Sequence, residues 1–445
     1  MKKKLFLINL FSLSLAIAST TVLYFAQMNL LYDYFDSNTV YLATISYAYF
    51  AQGAGLLLFM LLYRHAPALC RHRFVLAGAM LSFVPIVFAT LLVKSGPFLM
   101  FLLILTNLLI GYVLGNCFTN LAAFIDEKHI GICWGSAYAI GNLLSWLASQ
   151  IDATFLTSWK IIPIVCIAIG LTILPILLSE DLPLKKNDSV VPDKTDSYRY
   201  LWILLAILLM SVIYTIGSTD YYMIAETMTT SSTFYTRCMY AAGLFIAGII
   251  YDRSRNLSAV FALASIIYPI MASILLKISF QINLIYCLSY FFLGFFAVYR
   301  SCIFISSGNK HKELLYLAGL GLLISRFTEG LIALLNTFIT RSQLCGFIVS
   351  GILFVPLLII FCMMILRQPS RQKLTEEEKL TRFSEVYHLT RREEEIVTLL
   401  LQGATNGEIA EALTISEGTT RFHVSNVLKK TDCKTRNDVV HKLRQ

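Results

Sequence analysis

Charged side chains are scarce in this sequence. Asp, Glu, Lys and Arg make up 14% of its 445 residues, against about 25% in a typical soluble domain, and 57% of the residues are hydrophobic. This composition excludes an ordinary soluble globular protein.

The sequence also lacks the motifs of common enzymes and metal proteins. Its ten cysteines are scattered, without a Cys-x-x-Cys pair or another metal-ligand spacing, and this pattern is typical of small buried hydrophobic residues. There is no nucleophile motif and no phosphate-binding loop. We therefore expect neither an enzyme nor a bound metal or cofactor.

Long apolar runs fill most of the chain and predict an all-α fold. The runs that are long enough to span a bilayer number twelve: residues 5–29, 39–63, 74–93, 97–121, 130–151, 160–179, 200–220, 231–251, 258–277, 281–304, 314–339 and 344–366. They form two sets of six. The sequence thus predicts a polytopic membrane bundle of twelve transmembrane helices.

The polar segments divide the chain into five expected parts. These are a first six-helix half at 1–179, a central cytoplasmic loop at 180–199, a second six-helix half at 200–366, a cytoplasmic linker at 367–388 and a small domain at 389–445. The linker is too short for a phosphorylation-controlled receiver domain, which would need roughly a hundred residues. A signal to the small domain is therefore expected to come from the membrane bundle.

Basic residues indicate the orientation of the bundle. With the N-terminus inside, Lys2 to Lys4 and most other basic loop residues face the cytoplasm, as the positive-inside rule requires. The same start resembles a signal peptide cleaved after Ala18, but the apolar run has full span length, so we expect an uncleaved helix. The expected location is the inner membrane of a bacterium, with the lipid bilayer as a partner and both termini cytoplasmic.

The last part of the chain carries three helix-capping patterns. Thr390 with Glu393, Thr405 with Glu408, and Thr435 with Asp438 each have Ser/Thr followed by an acid three residues later. A further helix begins after Ser416, and Gly403 suits a helix end. The patterns predict four short helices with a tight turn between the second and third, which is helix-turn-helix geometry.

The third of these helices, roughly Glu417 to Thr431, has two distinct faces. At 100° per residue, Thr420, Val424, Val427 and Thr431 share a core-facing arc. The opposite surface is polar and basic and suits the major groove of DNA. The residues predicted to bind promoter DNA are Arg421, Phe422, Ser425, Lys429, Thr419 and Asn426. The alternative interpretation is a solvated charged face on a small helical tail.

This segment resembles the LuxR-type DNA-binding domain. The matching positions are Leu389, Thr390, Arg392, Glu393, Asn406, Glu408, Ile409, Ala410, Ser416, Glu417, Thr419, Arg421 and His423. The resemblance implies that Arg421 faces DNA, and a homodimer through this domain is a further expectation. Three departures stand out: Gly407 replaces the usual Lys, which removes one expected phosphate contact, and Thr420 and Thr431 replace Val and Leu, which predicts a softer core.

The membrane region resembles the major facilitator superfamily. Besides the two sets of six spans, the loop Gly248-Ile-Ile-Tyr-Asp252-Arg253-Ser-Arg255 is similar to the family's Gly-x-x-x-Asp-Arg-x-Gly-Arg loop, without the later Gly. The resemblance implies that Asp252 caps a helix end and that the arginines hold the two halves together. The matching loop of the first half, Arg64 to Arg73, lacks the acid.

Three charged residues within the apolar runs are candidates for a ligand site. Arg326 and Glu329 lie one helical turn apart near the middle of the eleventh run, and Arg237 lies in the eighth. A charge at a helix centre costs about 2.5–3.5 kcal/mol on insertion scales, so these side chains must face protein or water. The alternative for Arg326 and Glu329 is a structural ion pair within one helix.

Together these patterns indicate a membrane-embedded one-component transcription regulator. The bundle would bind an unknown small molecule or sense a membrane state and so control the DNA-binding domain. The main alternative is a secondary transporter with a regulatory DNA-binding tail. A plain membrane tether does not explain twelve spans where one would suffice.

Overall fold

The structure is a computed structural model and describes residues 2–149, 159–183, 194–225, 230–278, 282–339, 343–366, 376–433 and 435–444. Within these ranges the secondary structure is entirely helical, as the sequence predicted. The chain divides into two compact units, Met1–Ile365 and Leu366–Gln445, called here the membrane unit and the C-terminal unit.

The described residues of the first half of the membrane unit form eight α-helices. Their bounds are α1 Lys2–Leu31, α2 Ser37–Tyr41, α3 Ala48–His65, α4 Arg73–Leu81, α5 Phe83–Leu92, α6 Gly96–Phe124, α7 Ile130–Ser149 and α8 Ile161–Leu178. Of these, α2, α4 and α5 are short. A π-helical turn, Leu42–Tyr47, joins α2 to α3 without a break. One residue, Ser82, separates α4 from α5.

In the second half the described residues form six long α-helices. Their bounds are α9 Lys194–Ala225, α10 Thr230–Arg253, α11 Arg255–Ile278, α12 Ile282–Lys310, α13 Leu320–Ile339 and α14 Gln343–Leu366. A 3-10 helix, Lys312–Leu317, lies between α12 and α13.

Ten helical segments among the described residues are long and apolar enough to cross a membrane, which indicates a polytopic membrane protein. Twelve spans were predicted from the sequence. The two predicted spans outside this count correspond to α10, which begins with a polar stretch, and to α14, in which the apolar segment Ile348–Met363 is shorter than a full span. The exact number of twelve stays a prediction.

Small residues let the two halves of the membrane unit approach closely. A Cβ atom added at Gly131 of α7 would lie 2.5 Å from the carbonyl oxygen of Gly248 in α10, and one added at Gly248 would lie 2.4 Å from the carbonyl oxygen of Gly131. Real side chains cannot occupy such positions, so the two backbones pack directly against each other.

Asp252 provides a second link between the halves. Its carboxylate accepts hydrogen bonds from the backbone N–H groups of Gly131 and Ile132 at the start of α7, at 2.7 and 2.8 Å. Arg255 also forms an ion pair with Glu127 just before α7. The expectation that this loop caps a helix end and joins the halves therefore agrees with the geometry.

The C-terminal unit contains five described helices around a small core. They are α15 Glu376–Tyr387, α16 Arg391–Leu401, α17 Asn406–Ala412, α18 Glu417–Thr431 and α19 Arg436–Arg444. Helix α15 lies in the segment 367–388, predicted to be a linker, yet its Phe383 packs in the same hydrophobic cluster as Val397, Val427 and Val439. The unit therefore has one more core helix than the four predicted.

The three predicted capping patterns are present as reciprocal hydrogen bonds. The Thr390 and Thr405 hydroxyls accept from the backbone N–H groups of Glu393 and Glu408, whose carboxylates accept from the threonine N–H groups in return. Asp438 and Thr435 make the same exchange at the start of α19. Each cap satisfies donors that a helix start leaves unpaired, so the sequence determines where these helices begin.

Candidate DNA-binding face and membrane cavity

A tight turn sets the angle between α17 and α18. Thr414 adopts a left-handed backbone conformation with a φ of 55°, and the N–H of Ile415 returns to the carbonyl of Ala410 at 2.9 Å. Ser416 then caps α18 by accepting a hydrogen bond from the N–H of Thr419 at 3.1 Å. The second and third of the predicted helices thus form a helix-turn-helix.

The inner face of α18 is buried as the sequence predicted. Thr420, Val424, Val427 and Thr431 are all buried. The Thr431 hydroxyl donates to the carbonyl of Val427 at 2.7 Å, and the Thr420 hydroxyl donates to that of Ser416 at 3.3 Å. Both hydroxyls therefore have a backbone partner, so threonine is accommodated in this core without an unsatisfied polar group.

The outer face of α18 presents the side chains predicted to contact DNA. Arg421, Phe422, Ser425, Lys429 and Thr419 are exposed, and Asn426 is half-buried. Phe422 is 63% exposed, which is unusual for a large aromatic side chain without a partner surface. This arrangement combines a guanidinium, an ammonium, hydroxyls and an apolar ring on one surface.

Arg421 already has a hydrogen-bond partner in this structure. Its Nη2 lies 2.9 Å from Oε1 of Glu417, one turn earlier on the same exposed surface. Exposed ion pairs of this kind contribute at most about 1 kcal/mol, so the guanidinium can exchange Glu417 for a base edge at little cost.

Two polar contacts behind the face hold α16 against the helix-turn-helix. Arg392 donates to the carbonyl of Leu413 in the turn at 2.7 Å, and Lys430 lies 2.6 Å from the buried carboxylate of Glu393. Burial raises the pKa of Glu393, but the hydrogen bonds from Lys430 and Thr390 outweigh it and hold the pKa below its ordinary value. Glu393 is therefore ionised at neutral pH.

The membrane unit contains a cavity of about 600 Å³ between its two halves. Helices α1, α3, α6 and α7 of the first half and α10, α12 and α13 of the second contribute side chains to its wall. The volume is within the usual range of small-molecule sites, about 300–1,000 Å³.

Glu329 is the centre of a buried ion network beside this cavity. Its Oε2 lies 2.9 Å from Nη1 of Arg326, so the ion pair considered from the sequence is present. Its Oε1 also pairs with Arg300 of α12 and accepts from the Ser325 hydroxyl at 2.7 Å. The carboxylate thus joins two helices rather than serving one helix alone.

The structure brings two of the three candidate ligand residues to the cavity wall. Arg326 and Arg237 both line it, whereas Glu329 is buried next to the wall with 7% of its side chain exposed. The Arg326 guanidinium lies over the ring of Tyr49, 4.1 Å from its centroid. Arg237 lies near the rings of Phe25 and Tyr290, at 5.7 and 5.9 Å.

Arg300 and the tyrosines of the wall are not among the three candidates named from the sequence. Arg300 lies near one end of its apolar run, yet it is buried and shares Glu329 with Arg326. A charged residue inside an apolar run is itself a signal of function. The tyrosines gave no such signal, because an isolated tyrosine in a span also occurs at membrane interfaces.

Comparison with known proteins supports the assignment of the C-terminal unit as a luxR-type DNA-binding domain. Residues 387–443 match the family described as bacterial regulatory proteins, luxR family. The spore germination protein GerE of Bacillus subtilis is 47% identical over 55 residues, which cover 12% of this chain and 74% of GerE. The uncharacterized transcriptional regulatory protein YhcZ of the same species is 52% identical over 46 residues, or 10% of this chain and 22% of YhcZ.

Solved structures resemble the membrane unit in fold. The human organic anion transporter MFSD10 (TETRAN) has a TM-score of 0.60 at 14% identity, over 81% of this chain and 99% of the transporter chain. The major facilitator superfamily transporter FucP, in its outward conformation, has a TM-score of 0.50 at 13% identity, over 81% of this chain and 98% of its own. At such low identity the likeness concerns the fold. Through its C-terminal helix-turn-helix the chain therefore belongs to the luxR family of bacterial regulatory proteins, fused here to a membrane unit with a major facilitator fold.

Proposed function

We propose that this protein is a membrane-bound transcription regulator in which a small molecule, bound in the cavity of the membrane unit, controls promoter binding by α18. One observation carries the proposal: a single chain combines an exposed luxR-type recognition face with a membrane-unit cavity bordered by buried charges. Coupling between ligand binding in the cavity and DNA binding by α18 gives a reason for both features to be present in one chain.

The geometry of the cavity supports a role in switching. Both halves of the membrane unit contribute to its wall, so a ligand that contacts both favours the arrangement in which the two walls fit it together. A ligand can shift such an equilibrium only by the difference between its affinities for the two states. The link between halves at Asp252 and Gly131 is a contact that such a change would alter.

The proposal includes an orientation and two macromolecular partners. Basic residues on alternate connections favour cytoplasmic termini at the inner membrane, where promoter DNA is accessible to α18. A homodimer through the C-terminal unit would present two copies of α18 to two half-sites. The proposed chemistry is binding rather than catalysis.

A second candidate is a secondary transporter with a regulatory DNA-binding tail. It is favoured by the position of the cavity between the two halves, because transporters alternate access around a site placed there. Under this alternative, vesicles that contain the protein accumulate its substrate. Under the first proposal, ligand binds without net movement across the bilayer.

A comparison of transcription profiles tests the first proposal. The deletion strain and a strain with Arg421→Ala should change the same genes relative to wild type, because both lose specific DNA contact. Arg391→Ala is the matched control, since Arg391 is 96% exposed on a different helix, α16, and pairs there with Glu395. A wild-type profile for Arg421→Ala, with normal protein level, would contradict the proposal.

A further inference from the structure

We propose that the cavity of the membrane unit binds an organic anion with a ring-containing body, and that Arg237 is the side chain that receives its acid group. The inference rests on the proposed function, because it names the class of ligand that the regulator would bind. Its basis is the balance of charge and the nature of the side chains around the cavity.

The charged side chains that line the cavity among the described residues are all arginines. Arg237, Arg300 and Arg326 all line it, and no Asp or Glu among the described residues does. The carboxylate that contacts these arginines is Glu329, which pairs with both Arg300 and Arg326. Three guanidinium groups against one carboxylate leave an excess of two positive charges in the described part of the site.

This excess is costly in a membrane protein unless an anion joins it. A buried charge without a counter-charge is strongly disfavoured, because the surrounding medium cannot replace the water that it loses. Polar groups of the network are also incompletely satisfied: the Nε atoms of Arg300 and Arg326 are buried without a hydrogen-bond partner among the described residues. The site is therefore complementary to an added negative charge.

Arg237 is the arginine that is suited to a ligand. Arg300 and Arg326 are bound to Glu329 and to serine or tyrosine neighbours, so their positions are fixed by the protein. Arg237 makes no ion pair within the described ranges and is half-buried at the wall, near two aromatic rings. A guanidinium in this setting offers paired N–H donors that match a carboxylate or a similar acid group.

The rest of the wall favours a flat or ring-containing body over a flexible chain. Seven tyrosines line the cavity, together with Trp134 and Phe25. Three of the tyrosines, Tyr138, Tyr240 and Tyr290, form a series of edge-to-face ring contacts with centroid distances of 5.8 and 6.3 Å. Such rings provide faces for stacking, and their hydroxyls can donate hydrogen bonds to an acid.

Thermal stabilisation of the full chain in nanodiscs of zwitterionic lipid tests this inference. The probes are benzoate, phenylacetate, cinnamate and indole-3-acetate, each beside its primary amide, which has nearly the same shape without the charge. We expect at least one acid to stabilise the protein with an apparent affinity about tenfold or more above that of its amide. Arg237→Gln should remove that preference, and Arg237→Lys should retain part of it.

Lys94→Gln is the control, since Lys94 is exposed between α5 and α6 and does not line the cavity. It should leave the preference for the acid unchanged. Equal stabilisation by acids and amides, stabilisation by no acid, or an unchanged preference in Arg237→Gln would each overturn the inference.

A lipid headgroup is the other source of an acid group. If no added acid stabilises the protein but phosphatidylglycerol in the nanodiscs gives an Arg237-dependent stabilisation, the acid group belongs to a lipid and the inference of a soluble ring-containing anion is overturned. The outcome is separable from that of the proposed function. Acid binding that depends on Arg237 but leaves promoter occupancy unchanged supports the anion site and contradicts the regulatory role.

Discussion

Glu329→Gln is the substitution with the largest expected effect on the membrane unit. The carboxylate is 7% exposed, and each of its oxygens serves a different arginine, Arg300 on one side and Arg326 at 2.9 Å on the other. An amide keeps one acceptor oxygen but turns an NH₂ group toward the second guanidinium, so that donor faces donor. Removing one partner of a buried ion pair costs about 3–5 kcal/mol, and we expect a loss of that size.

The assay is the thermal unfolding midpoint of the full chain in nanodiscs, measured for a double-mutant cycle. Glu329→Gln leaves two guanidinium groups without a carboxylate partner, and adding Arg300→Gln removes one of them. The double variant should therefore lose less stability than the sum of the two single losses, with a coupling energy of about 1–3 kcal/mol. Glu180→Gln is the control, because Glu180 is exposed in the loop after α8. Strict additivity, or a Glu329→Gln midpoint equal to that of the control, would refute a network centred on Glu329.

Three further predictions concern the C-terminal unit and the orientation of the chain. The first two use the fragment 366–445, because it is a compact unit and because the 55 residues aligned with GerE cover 74% of that protein. Arg421→Ala should cost about 1–3 kcal/mol of discrimination between operator and random DNA, whereas Lys429→Ala should weaken binding to all sequences and reduce its salt dependence, both measured by fluorescence anisotropy. Lys430→Met should lower the free energy of unfolding by roughly 1.5 kcal/mol at neutral pH. The pKa of Glu393 is depressed in the folded state. The contribution of this ion pair to stability is therefore complete at a pH above the ordinary glutamate pKa of about 4.3, and it disappears as the pH falls through the lower pKa of the folded state. The difference in unfolding free energy between Lys430→Met and wild type should shrink in that acid range. A reporter fused after Gln445 should be active only in the cytoplasm, and periplasmic activity would contradict the orientation.

The caps and the helical period of the C-terminal unit allowed its helices to be predicted closely. Thr390, Thr405 and Ser416 each mark a helix start through hydrogen bonds made within four residues, which depend on local sequence alone. The contribution of α15 to the core was not predicted, because it depends on the packing of Phe383 against residues about 14–60 positions later. No local pattern records such a contact.

The membrane unit shows the same division between local and long-range information. Arg326 and Glu329 are one turn apart, so their ion pair follows from helical geometry. The addition of Arg300, and the convergence of Arg237 with Arg326 on one cavity, depend on how distant helices pack. Hydropathy locates the apolar runs, but it does not determine which helix faces which neighbour.

The central claim is that occupancy of the cavity controls where the tethered helix-turn-helix binds DNA. The most direct measurement is the genome-wide DNA occupancy of the full-length protein in cells, across a set of growth conditions. It compares wild type, Arg421→Ala and Leu293→Trp. Leu293 lines the cavity, so the larger tryptophan should fill it. For wild type we expect discrete sites whose occupancy changes with the growth condition. Arg421→Ala should lose these sites, and Leu293→Trp should keep them with an occupancy that stays constant across conditions, at equal protein level. Occupancy in Leu293→Trp that follows the conditions as wild type does would contradict the central claim.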